Sequence, residues 1–117
     1  MAAGAGRMSA ESTFGSHEAK QLTILLTAHD RSGHGSLTGE LLRRARRVGV
    51  RGATAVGGLE GFGASRQLHR THLLGSDAPM AIVLVDSAER IEEFLQAARD
   101  LLGAALVTLS DVDVVEL

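Results

Sequence analysis

The sequence predicts an α+β domain in which the order strand–helix–strand occurs twice. Three observations lead there. Two continuous apolar runs, QLTILLTA (21–28) and MAIVLVD (80–86), have the length of strands. Each is followed by a segment whose apolar residues recur at helical spacing. Each of those segments leads into a further short apolar run.

The first run is strand one. After a polar connection, SLTGELLRRARRVG (36–49) reads as a helix, with Leu37, Leu41, Leu42, Ala45 and Val48 on one side. Arg43, Arg44, Arg46 and Arg47 take the other side. Ser36 is placed to cap its start and Gly49 to stop it. GATAVGGL (52–59) is the second strand and MAIVLVD the third. SAERIEEFLQAARDLLG (87–103) is the second helix, buried through Ile91, Phe94, Leu95, Ala98, Leu101 and Leu102. Asp86 followed by Glu89 reads as a capping box, and Gly103 ends the helix. ALVTL (105–109) is the fourth strand, which VDVVEL (112–117) extends or supplements with a short edge. The whole is the ferredoxin-like βαββαβ arrangement, with two helices on one face of an antiparallel sheet. Its expected strand order is 4-1-3-2, which makes the two most continuously apolar strands central.

At 117 residues the chain holds a single domain. Phe14, Phe62 and Phe94 are the only aromatics, so the core is built from Leu, Val, Ile and Ala. The absence of cysteine excludes disulfides, thiolate zinc sites and a cysteine nucleophile. A net charge of −2 provides no global argument for nucleic acid. No apolar run reaches the roughly 18 residues of a membrane span, so no direct membrane insertion is expected. Residues 1–19 are small, polar and aperiodic, without the apolar block of a signal peptide, and are expected to form a disordered tail. The folded domain is expected over 20–117, in a cytoplasmic protein.

Two helices cover one face of a four-stranded sheet. A sheet with one wet face alternates apolar and polar residues, and MAIVLV does not. The second face is therefore expected to be covered as well, most economically by further copies of the same chain.

The stretch GGLEGFGAS (57–65) follows strand two. Gly57, Gly58, Gly61 and Gly63 free the backbone and expose its amides. ASRQLHRTHLLGSDAP then separates it from strand three, a long connection that carries Arg66, Arg70, His69 and His72. Amides beside guanidinium groups suit an anion, although the glycines by themselves also fit a wide turn. The stretch is neither a Walker loop nor a dinucleotide fingerprint, since GxxxxGK[ST] is absent and no helix follows directly.

Strand–helix–strand, then Gly61-Phe62-Gly63, then a long loop with Arg, Gln and His, then PMAIVLV and a second helix, resembles the PII signal-transduction proteins. GATAVGGLEGFGAS, VDS and LVTLSDV are similar to a bacterial family of small uncharacterised PII-like proteins, over roughly Leu22 to Val115. The resemblance implies a homotrimer with ligand clefts between subunits that take adenine nucleotides. It also implies a loop, here 61–79, that engages a membrane transporter or an enzyme. Gly61, Phe62 and Gly63 match the family's GFG. Ala64 and Ser65 intervene before Arg66-Gln67, where PII proteins continue at once, and LLGAALVTL has no counterpart of their phosphate-binding glycine–lysine loop. A different nucleotide, another anion or an empty cleft stay open.

The candidate ligand set is then Gly61, Phe62, Gly63, Ser65 and Arg66. Asp30 and His34 of HDRSGHGS (29–36) join it as a second wall beside the start of the first helix. His69-x-x-His72 is too sparse for a zinc site, and no metal is expected. No catalytic motif is present, and no cofactor beyond an adenine nucleotide ligand is expected. The arginines of the first helix face acidic residues of the second, which favours charge complementarity or solvation over nucleic acid. A regulatory protein is the favoured reading; the alternatives are a ligand-independent interaction module and a small enzyme acting at the same cleft.

Overall fold

The computed structural model describes residues 12–27, 31–32, 35–58, 60–61, 69–70 and 78–117. The main elements run β1 (Gly15–Thr27), α1 (Leu37–Val48), β2 (Ala53–Gly57), β3 (Pro79–Asp86), α2 (Ala88–Ala98) and β4 (Leu106–Glu116). The four strands form one sheet in the order β2-β3-β1-β4, with every neighbouring pair antiparallel. This is the ferredoxin-like order expected from the sequence. Its two central strands are the two apolar runs.

α1 forms because its start and end are both satisfied locally. Ser36 Oγ accepts the Gly39 amide at 3.0 Å. Gly49 takes a left-handed φ of 95°, and its amide donates to the carbonyls of Ala45 and Arg46. For α2 the cap falls one residue later than the expected Asp86–Glu89 box. Ser87 Oγ accepts the Arg90 amide at 3.1 Å. Asp86 is engaged elsewhere: its carboxylate accepts the Ser87 amide at 2.7 Å and the Arg51 amide at 2.9 Å. The regular helix ends at Ala98, short of Gly103, and tightens into a 3₁₀ turn over Arg99–Leu101.

The core lies between the helices and one sheet face. Leu22, Ile24, Leu26, Ile82 and Leu84 from the strands meet Leu37, Leu41, Ala45, Ile91, Phe94 and Ala98 from the helices. Within α1, Glu40 accepts from Arg43 at 2.9 Å and from Arg44 at 3.1 Å. Arg44 continues to Asp100 at 2.6 Å and donates to the Ala97 carbonyl at 2.7 Å. Part of the arginine run is thus an interhelical clasp, while Arg46 and Arg47 stay exposed in the last turn, complementing the carbonyl end of α1.

Two strand bounds differ from expectation for one reason. β1 begins at Gly15, ahead of the expected Lys20 boundary, and pairs with β4 from Gly15↔Glu116 to Leu25↔Leu106. That long partner makes 105–109 and 112–117 a single strand. Side chains reinforce the pairing, His17 with Glu116 at 3.1 Å and Lys20 with Asp111. β3 stops pairing at Lys20↔Asp86, so Gly15–Ala19 and Val112–Glu116 continue past it as a two-stranded arm.

The sheet face away from the helices carries Leu25, Val56 and Leu106, which are 42%, 51% and 61% exposed. Register pairs Leu25 with both Ala81 and Leu106, so these apolar positions are neighbours across three strands. Along β3, Val83 and Val85 lie half-buried on the same face.

Candidate functional site

Both segments singled out from the sequence leave the sheet at one end. β1 ends at Thr27, which pairs with Pro79 at the start of β3. β2 ends at Gly57, which pairs with Met80, and the Gly58 amide donates to the Pro79 carbonyl at 2.8 Å. The exit of β1, the exit of β2 and the entry to β3 are therefore adjacent. These positions, 27, 58 and 79, are spread over 52 residues of sequence and have no local signature of this meeting.

Space at this neck favours glycine at one of two positions. A Cβ on Gly58 would lie 3.1 Å from Pro79 Cγ, tighter than most carbon contacts, whereas one on Gly57 would reach only Met80 Sδ at 3.9 Å. Beyond the neck, Glu60–Gly61 pairs with His69–Arg70 in register Glu60↔Arg70, Gly61↔His69. Gly61, alone of the candidate ligand residues, is among those described, and it sits in this short antiparallel ladder. Phe62, Gly63, Ser65, Arg66, Asp30 and His34 lie outside the described residues.

The connection from β1 to α1 closes on itself similarly, with Arg31–Ser32 paired to Gly35–Ser36. The last residue of that ladder, Ser36, is also the α1 cap, so the start of α1 is tied to the segment that contains Asp30 and His34. Two residues further on, within the first turn, the Thr38 hydroxyl is buried without a hydrogen-bond partner. A helix start offers unpaired amides to an anion. Among the described residues no cluster of three or more His, Cys, Asp or Glu is placed to hold a metal ion. No helix among them is long and apolar enough to cross a membrane.

Among the described residues, the titratable groups with displaced pKa values belong to the helix clasp. Hydrogen bonds from Arg43 and then Arg44 hold the Glu40 carboxyl below its ordinary value. The hydrogen bond from Arg44 does the same to Asp100, and Arg44 itself is raised in return.

Sequence reasoning missed a recess on the open sheet face. It has a volume of about 360 Å³ and is lined by Arg51, Gly52, Thr54, Val83, Val85 and Val114. Val83 and Val85 gave a partial signal through their lack of alternation with polar residues. Arg51 and Val114 gave none, because only the sheet brings the end of the α1–β2 turn near the last strand.

The fold and this end-of-sheet geometry define the class: an antiparallel PII-like sheet from which two polar connections depart side by side. Comparison with known proteins agrees. The profile of the DUF190 family, described as "Uncharacterized ACR", matches residues 19–114, and the chain belongs to that family. A "UPF0166 protein" of Aquifex aeolicus (strain VF5) is 32% identical over 101 residues, spanning 84% of this chain and 95% of that protein. Among solved structures, CPII of Thiomonas intermedia K12 bound to ADP and bicarbonate superposes with a TM-score of 0.66 at 26% identity, covering 86% of this chain and 92% of that one. A second structure of that protein, described as a nitrogen regulatory PII-like protein and bound to ADP, AMP and bicarbonate, gives a TM-score of 0.68 at 24% identity, with 86% and 92% coverage. The resemblance to an uncharacterised PII-like family, read from the GFG-containing stretch and the element order, is thus met.

Proposed function

We propose that this chain is a non-enzymatic PII-like regulatory protein that assembles as a homotrimer. In this reading a small anionic metabolite, with adenine nucleotides first among the candidates, binds in a cleft between subunits. The segment 61–79 then reports occupancy to a transporter or enzyme. The observation that carries the reading is the apolar sheet face of Leu25, Val56 and Leu106 on a chain whose helices cover only the opposite face. Sister copies are the cover that closes such a face symmetrically, and their junctions create clefts. Support for the ligand class comes from CPII, which binds ADP and bicarbonate. The convergence of the two connections at one end of the sheet supports the location. Gly61, Phe62, Gly63, Ser65 and Arg66 would form one wall, and Asp30 and His34 the other. The ligand acts on a partner to the extent that it favours one arrangement of 61–79 over another.

The test joins sedimentation to calorimetry. The protein is expected to sediment at three times the 12.2 kDa chain mass. Titration with ADP, AMP or ATP, with and without bicarbonate, is expected to release or absorb heat and raise the melting temperature. A trimer that answers none of these nucleotides removes the sensing role and leaves a ligand-independent docking module. A lone chain removes the cleft.

A further inference from the structure

We draw no further inference here: the strongest candidate, the recess on the open sheet face lined by Arg51, Gly52, Thr54, Val83, Val85 and Val114, carries nothing, because nothing in the structure shows what covers it.

Discussion

Adding one methyl group at the neck of the 61–79 segment distinguishes two adjacent glycines. On Gly58, the new Cβ would stand 3.1 Å from Pro79 Cγ and 3.5 Å from Pro79 Cβ. Carbon atoms rest at about 3.5–4.0 Å, so the first contact is short by roughly 0.4 Å. The proline ring can give only by changing its pucker or shifting with the backbone. Pro79 is also held on both sides, by the Gly58 amide on its carbonyl and by its pairing with Thr27. Overpacking of this kind costs about 1–3 kcal/mol. The methyl group recovers about 0.4–1 kcal/mol by restricting the unfolded chain. Gly58→Ala is therefore expected to destabilise by roughly 0.5–2 kcal/mol. On Gly57 the Cβ meets only the flexible Met80 Sδ at 3.9 Å, so the entropic gain remains and the change is neutral or stabilising. Urea unfolding at one fixed protein concentration measures both, because assembly makes apparent stability concentration-dependent. With a urea slope of about 1–3 kcal/mol per molar, the midpoints should separate by roughly 0.5–1 M. A Gly58→Ala midpoint equal to or above that of Gly57→Ala would refute the steric account of the neck.

Two further outcomes follow from the helix layer. Phe94 is fully buried among the helix and strand side chains, and Phe94→Ala is expected to cost about 3–5 kcal/mol by urea unfolding, with a cost under about 1 kcal/mol contradicting the packing described. Glu40 is lowered from its ordinary value of 4.5 by Arg43 and Arg44, so its contribution is fully present above that value and is lost as pH falls through the depressed folded one. Stability should therefore decline with acid below about pH 4.5, and more shallowly in Glu40→Gln, which a series of urea midpoints at falling pH would reveal.

What the sequence determined by itself was whatever depends on neighbours a few residues apart. Ser36 caps α1 through the amide of Gly39, and Gly49 closes it through the carbonyls of Ala45 and Arg46. Those partners lie within one turn, so the pattern on the page already contains them. The buried stripe of Ile91, Phe94 and Ala98 is legible for the same reason, as is the central placing of the two apolar strands. The GFG-containing stretch also pointed to the right family.

Only the tertiary structure decided features whose partners are far apart in the chain. Whether Asp86 or Ser87 caps α2 is settled by the Arg51 amide, 35 residues away, which occupies the Asp86 carboxylate. The start of β1 at Gly15 depends on Glu116, whose partnership no composition of the first residues can show. The neck between Gly58 and Pro79, the recess from Arg51 to Val114 and the projecting arm likewise arise from strand register. Register is a choice among pairings that are nearly equivalent locally, and it is resolved when the apolar faces of all four strands are buried together.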